Sequence, residues 1–276
     1  MITAETGQAM RSVEHLMDLT GKVALVTGGA GHIGLAACQA LLELGSQVAV
    51  LDLDAQNCQA RVSQLAKVGM HDAFGVPCDL SDHQDTRAAV QWVTRELGRL
   101  DVIVHCAAYV GTTPIPGWAV PFDHQSVTAW DAAMQVNLTA AFIMVQEAKE
   151  ILAKGGSGSV ILFGSTYGIV GPDMSLYDGT DMGNPAGYAA SKGGILQLTR
   201  YLATVLAPNT RVNAISPGGV SRGQPQAFQD RYIQRTPMGR MATEEDLKGA
   251  IAYLASDLSA YVTGHNLVVD GGWTAW

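Results

Sequence analysis

A chain of 276 residues, 47% hydrophobic and 15% charged, can bury a full core and fits one large α/β domain better than two small ones. Its formal net charge of −8 argues against nucleic acid as a partner, because phosphate backbones demand clustered Lys and Arg. Cys38, Cys58, Cys78 and Cys106 are widely spread with no Cys-x-x-Cys pair, so neither a zinc site nor a disulfide framework is expected, and no metal is assigned.

Met1 to Leu19 mixes Glu5, Arg11, Glu14 and Asp18 among short apolar stretches, which suits neither a signal-peptide core nor a membrane span. Residues 1–18 read as a loosely ordered extension ahead of a single domain over 19–276, with a cytoplasmic location and no membrane partner expected. Lys22 to Thr27 predicts a buried strand, which breaks into glycines and resumes as an apolar helix from Ile33 to Leu44. Beyond Gly45, Gln47 to Leu53 predicts a second buried strand. The alternation continues through a helix at Asn57 to Lys67, a strand at Asp72 to Cys78, a helix at Gln84 to Leu97 and a strand at Asp101 to Ala107. Helices near Trp130 to Leu152, Tyr188 to Leu206 and Thr243 to Ala255 are interleaved with strands at Ser159 to Phe163, Arg211 to Ser216 and Asn266 to Val269. Continuously apolar strands in such alternation imply an α/β fold, a doubly wound parallel sheet with helices on both faces.

Gly28, Gly31 and Gly34 fall between the first strand and its helix, where absent side chains let the backbone approach a pyrophosphate at the helix N-terminus. The alternative is an ordinary glycine-rich turn. An acid at the end of the next strand, Asp52, favours dinucleotide binding, because a carboxylate there accepts hydrogen bonds from ribose hydroxyls. A 2′-phosphate would meet a like charge, and no Arg or Lys directly follows Asp52 or interrupts the glycine loop, so NAD is preferred over NADP. Asp79, at the end of the third strand, is placed to meet the adenine edge or to cap the helix that begins near Ser81.

Further along, Tyr188 and Lys192 stand four apart in Tyr-Ala-Ala-Ser-Lys, after Ser165. On a helix that spacing puts both side chains on one face, and an ammonium beside a phenol favours the phenolate, lowering its free pKa of about 10. Such a pair suits the acid/base work of hydride transfer. Alone it is weak, since Tyr-x-x-x-Lys arises by chance about once in a few chains of this size. Taken together, Thr27-Gly28, Asp52, Asp79, Asn137 in Val-Asn-Leu, Ser165, Tyr188 with Lys192, Pro217-Gly218 and the closing Val269-Asp-Gly-Gly resemble the short-chain dehydrogenase/reductase family, from about Leu19 to Trp276. The resemblance implies a Rossmann-type sheet and a four-part catalytic group. Tyr188 would exchange the substrate hydroxyl proton, Lys192 would lower its pKa and bind the nicotinamide ribose, Ser165 would hold the substrate oxygen, and Asn137 would anchor a relay water. Each has a structural alternative: Asn137 a helix-bending side chain, Ser165 a turn residue, Lys192 a solvated cation. The same resemblance places Gly28, Gly31, His32, Ile33, Gly34, Asp52, Leu53, Asp79, Leu80, Ala107, Ala108, Tyr188, Lys192, Pro217, Gly218 and Val220 around the cofactor.

The chain also departs from that pattern. His32 stands where glycine is common, and is expected to point to solvent. The usual Asn-Asn-Ala-Gly reads His105-Cys106-Ala107-Ala108, which is expected to lose a polar brace and weaken cofactor binding. Arg222 occupies the neighbourhood of a Thr that often holds the nicotinamide carboxamide. The interval from Ser165 to Tyr188 carries an insertion, Pro172 to Gly187, so substrate loops are expected at about 171–187 and 219–240. Tyr177, Asp178, Asp181 and Asn184 supply donors and acceptors of the kind that read several hydroxyls, the alternative being a surface excursion that packs on a neighbouring subunit. Ser165, Tyr177, Tyr188 and Arg222 are the candidate substrate contacts. Arg222, Arg231, Arg235 and Arg240 face one local acid, Asp230, a cluster that could bind an anionic group or simply be a solvated face.

The insertion and the ending Asp270 to Trp276 resemble the flagellin-modification and amino-sugar branch. The expectation is an NAD-dependent enzyme of small-molecule substrate, interconverting a secondary alcohol and a ketone on a neutral or anionic sugar or sugar derivative. A nucleotide-sugar epimerase or dehydratase fits the glycine spacing but needs a longer C-terminal domain and an acid pair where Thr166-Tyr167 stands. A non-catalytic NAD sensor is the third reading. The resemblance implies a homotetramer, for which Trp273 and Trp276 are expected to supply buried contacts.

Overall fold

The computed structural model describes residues 10–70, 72–111 and 113–276. Seven parallel strands form one sheet in the order β3-β2-β1-β4-β5-β6-β7: β1 Val23–Thr27, β2 Gln47–Asp52, β3 Ala73–Pro77, β4 Val102–His105, β5 Gly158–Phe163, β6 Thr210–Pro217 and β7 Asn266–Val269. The strand period of two divides the core. Val23 and Leu25 of β1 face a layer shared with helices α4 (His83–Leu97), α6 (Ala140–Lys154) and α7 (Ala186–Leu206), whereas Ala24 and Val26 face α2 (His32–Glu43), α3 (Ala55–Lys67) and α9 (Lys248–Ala255). Because both faces are covered, β1, β4 and β5 are buried at every residue, which is why they read as continuous apolar runs.

The chain order reverses direction across the sheet between β1 and β4. A crevice therefore opens at the carboxyl ends of these strands, the place where open α/β sheets bind their ligands.

Four local findings differ from the sequence expectations. Part of the proposed extension is ordered: α1 (Val13–Met17) is capped by Ser12, and Arg11 pairs with Asp257 at 2.6 Å, while Met1 to Ala9, Glu5 included, lie outside the described residues. The helix expected near Trp130 to Leu152 is three pieces, α5 (Val127–Met134), a π turn at Gln135–Thr139 and α6. A further helix, α8 (Gln226–Gln234), lies within the arginine-bearing loop expected at 219–240. The cap of α4 is Asp82, whose carboxylate accepts from Gln84 N at 2.7 Å and Asp85 N at 2.9 Å, so Asp79 is released from that duty.

Candidate active site

A cleft of about 730 Å³ runs along the carboxyl edge of the sheet, from the glycine loop to the inserted segment. At its first end, Gly28 adopts φ +63°, and an added Cβ would stand 3.0 Å from the Ala107 backbone, so only glycine lets β1 and β4 approach so closely. A Cβ on Gly34 would run into the Gly28 carbonyl. The N-terminus of α2 is capped by Gly31 with no side-chain acceptor and no acid in its first turn. Its amides are thus left facing the cleft with their partial positive charge unanswered, a fit for a pyrophosphate. His32 edges the cleft but is exposed, with its Nδ1 3.2 Å from Glu244.

Asp52 ends β2 on the cleft wall. Its two carboxylate oxygens accept from Ala30 N at 3.1 Å and Leu53 N at 2.9 Å, which fixes the group while leaving lone pairs for ribose hydroxyls. Arg61 reaches the same loop, but its guanidinium is held by Ala30 O at 2.8 Å and Gln64 at 2.7 Å. Asp79 lines the wall beyond, its own carboxylate accepting from Ser81 N at 2.8 Å. Ile33, Leu53, Leu80, Ala107, Ala108, Pro217, Gly218 and Val220 complete this half of the lining as the sequence places them.

The polar brace expected to be lost at His105 is rebuilt. Thr27 Oγ1 accepts from Ala107 N at 3.2 Å and lies 2.9 Å from His105 Nδ1. The hydroxyl can therefore donate to the ring while accepting from the backbone. Burial pushes His105 down to about 3, so the imidazole stays neutral and able to accept at Nδ1.

Ser165, 6% exposed, follows β5 and caps a short 3₁₀ turn, its Oγ accepting from Tyr167 N at 3.2 Å. It is therefore a turn residue as well as a cleft residue. Tyr188 and Lys192 lie in the first two turns of α7, the ammonium 5.8 Å from the ring centroid. Lys192 Nζ also donates to Phe163 O at 2.7 Å, and its burial brings it down to about 8. Tyr188 does not behave as the spacing alone suggests. Burial raises its pKa above the ordinary phenol value, and the Ser165 hydroxyl and the Arg222 charge pull back against that.

Asn137 sits in the π turn, fully buried and outside the cleft lining. Its carboxamide accepts from Tyr109 N at 2.7 Å and donates to Tyr109 O at 3.3 Å and Ser191 Oγ at 3.0 Å, while Ser191 donates to Tyr188 O at 2.8 Å. The loop after β4 is thereby stitched to the turn of α7 that carries Tyr188. With its side chain so engaged, Asn137 works chiefly as a brace between these elements.

At the other end, the insertion brings Tyr177 and Asn184 into the cleft and leaves Asp178 and Asp181 exposed and outside it. The arginine cluster is likewise mostly spent. Arg231 donates to the carbonyls of Leu176 at 3.2 Å and Asp178 at 2.6 Å, Arg235 pairs with Asp173, and Arg240 pairs with Asp246 at 2.7 Å. Arg222 alone of the group lines the cleft, with no side-chain hydrogen bond or ion pair among the described residues. Tyr167, Met182, Phe228 and Tyr232 also face the cleft and were not singled out from the sequence. The spacing of Phe228 and Tyr232, one helical turn apart, is the signal that could have found them. Trp273 is buried inside the chain, stacked on Tyr232 at 5.7 Å between ring centroids, whereas Trp276 is 81% exposed. Only the second is free for a partner.

Comparison with known proteins bears on this geometry. Residues 28–274 match the family model described as enoyl-(acyl carrier protein) reductase. The chain is 32% identical to the D-threitol dehydrogenase of Mycolicibacterium smegmatis, over 95% of this chain and 96% of that protein. It is 33% identical to the cis-4-hydroxycyclohexanecarboxylate dehydrogenase of Sinomonas cyclohexanicum, over 92% of this chain and 97% of that protein. Its fold superposes with a TM-score of 0.85 on a gluconate 5-dehydrogenase of Burkholderia cenocepacia in complex with NADP and tartrate, at 27% identity over 96% of this chain and 100% of that one.

The brace yields a first prediction. Thr27→Val strands two buried groups, Ala107 N and His105 Nδ1, and should lower the unfolding free energy by about 1–3 kcal/mol, whereas Thr27→Ser should retain most of it. Urea denaturation of the two variants beside the wild type measures the difference, and equal midpoints for Val and wild type would show that the hydroxyl is not needed.

Proposed function

The chain belongs to the short-chain dehydrogenase/reductase family, and from that premise we propose an NAD-dependent oxidoreductase that interconverts a secondary alcohol and a ketone on a sugar or sugar derivative. The observation that carries the reading is the convergence of Ser165, Tyr188 and Lys192 on one cleft whose other end holds the glycine loop and Asp52. A bound nicotinamide supplies the hydride acceptor or donor. Ser165 holds the substrate oxygen, Tyr188 takes or returns its proton, Lys192 holds the nicotinamide ribose, and Asn137 fixes the helix turn on which Tyr188 stands. Leaving Phe163 O for a ribose hydroxyl would bring the ammonium to bear on the phenol.

The unpaired Arg222 supports an anionic substrate, since a guanidinium in a partly enclosed cleft favours a carboxylate or phosphate. Relatives named for a carboxylate and a complex with tartrate are in keeping with that class. The insertion at 172–187 and the Asp270 to Trp276 ending support the flagellin-modification and amino-sugar branch. A homotetramer is supported by exposed apolar residues on α6 and α7, Phe142, Tyr201 and Val205, and by Val268 on the edge strand β7. No described helix is long and apolar enough to cross a membrane. The free thiols Cys38, Cys58 and Cys78, all buried, suit a reducing compartment such as the cytoplasm.

Tyr188→Phe should abolish turnover while leaving NAD binding, read by cofactor fluorescence, intact. The wild type has a signed pH dependence. Burial raises the Tyr188 pKa, so the base form grows as pH rises: alcohol oxidation should increase from neutral into alkaline pH and ketone reduction should fall. A flat oxidation profile, or near-normal activity in the Phe variant, would remove Tyr188 from the proton step. Asp52→Ala should shift the NAD-over-NADP ratio of kcat/KM by about tenfold toward NADP, one like-charge contact being worth roughly that much. An unchanged ratio would mean that another group selects the cofactor. Arg222→Ala should raise KM for a sugar acid several-fold more than for the matching neutral polyol, and parallel changes would dismiss the anion reading.

A further inference from the structure

Asn184 is 8% exposed and lines the cleft, yet neither its Oδ1 nor its Nδ2 has a hydrogen-bond partner. A buried amide left unanswered in both directions is costly, and such groups are normally satisfied by something in the site. Met182, Phe228 and Trp273 belong, with Leu176, to the apolar cluster at this end of the cleft. The cleft lining here also carries the phenols of Tyr167 and Tyr177. Tyr177 lines the cleft with Asn184, and its hydroxyl shares a 3.2 Å hydrogen bond with that of Tyr167. Two hydroxyls sharing one bond use one of their two protons, so one O–H is left to donate.

These groups share a cleft with the reacting centre: Asn184, Tyr167 and Tyr177 line the same cavity as Ser165 and Tyr188. The wall is also held in place before any ligand arrives. Arg231 ties down the carbonyls of Leu176 and Asp178, and Tyr177 packs on Phe228 with ring centroids 5.4 Å apart. Fixed polar groups of this kind discriminate well, because an analogue lacking the matching group leaves them unpaired.

We propose that Asn184, with the Tyr167–Tyr177 pair, forms a subsite that reads a second hydroxyl close to the carbon that reacts, making vicinal diols and polyols the preferred substrates. A hydroxyl both donates and accepts, so it answers both ends of a carboxamide. An ether or ketone oxygen answers only the N–H, and an ammonium only the C=O. The inference rests on the dehydrogenase reading above.

The test uses NAD reduction by the full-length protein on matched alcohols, a vicinal cyclohexanediol against cyclohexanol and threitol against a butanol bearing one secondary hydroxyl. The wild type should favour the diol of each pair in kcat/KM. Asn184→Leu should lower the diol-to-monoalcohol ratio about 10- to 100-fold, the change carried by the diol, and Asn184→Gln should recover part of it. Tyr177→Phe, which keeps the ring packing, should lower the ratio to a smaller extent, and it decides together with the wild type if the Leu variant does not fold. A wild-type ratio near unity, or a ratio that none of the variants moves, overturns the subsite while leaving the dehydrogenase standing. Oxidation of neither alcohol in either pair overturns the preference for vicinal diols and polyols, and a parallel panel of neutral sugars and sugar acids then decides the dehydrogenase reading separately.

Discussion

Everything else in this molecule depends on how closely two neighbouring strands run at their carboxyl ends. β1 and β4 are hydrogen-bonded along their length, and immediately beyond them Gly28 passes the Ala107 backbone with no space for a side chain. That contact fixes where the loop turns and where α2 begins. Its consequences extend sideways: Thr27 and His105, the last residues of the two strands, are registered opposite each other and join through their side chains. The junction is polar but nearly complete, because the hydroxyl accepts from Ala107 N while giving its proton to a ring that burial keeps neutral. A substitution that looks like a loss in the sequence thus turns out to exchange one hydrogen-bonding side chain for another at the base of the cleft.

Much of this was legible beforehand because the physics that places it is local. Strands buried on both faces must be continuously apolar, and helices with one wet face must show their period, so the order of elements could be read in advance. Asp52 followed from its position at the end of β2, and Tyr188 with Lys192 from their spacing. The misreadings have a common origin in contacts between residues far apart in sequence. Nothing in Val-Asn-Leu announces a π turn, since the turn is stabilised by Asn137 reaching the backbone of Tyr109 across the sheet edge. Arg231, Arg235 and Arg240 looked like a free basic surface because their partners, Leu176, Asp178, Asp173 and Asp246, lie in other segments or turn back only in three dimensions. Helix α8 is short and mostly polar, and it is the aromatic pair on its inner face that holds it.

The electrostatics of α7 show why spacing is only half of an acid/base argument. Placing an ammonium one turn from a phenol stabilises the phenolate only if the two are turned toward each other and water is not traded away for nothing. Here Lys192 is buried and Tyr188 half-buried, and burial penalises each charged form separately: it raises the tyrosine and lowers the lysine toward neutrality. The lysine meets part of its cost by donating to the Phe163 carbonyl, a neutral acceptor that a ribose hydroxyl can replace. The ammonium is thus already stripped of water before any ligand arrives.

The inserted segment follows the same economy at the opposite end. A stretch of about fifteen residues with a single 3₁₀ turn, Met174–Tyr177, would ordinarily be loosely held, but Arg231 gathers its carbonyls and Tyr177 beds into the aromatic cluster around Phe228, Tyr232 and Trp273. Rigidity gained from these contacts is what allows a polar side chain such as Asn184 to remain unanswered inside a packed wall. In a mobile loop that amide would turn toward solvent and cost nothing. Held in the cleft, it makes the wall selective, because a ligand that satisfies it recovers a loss that the folded protein already carries.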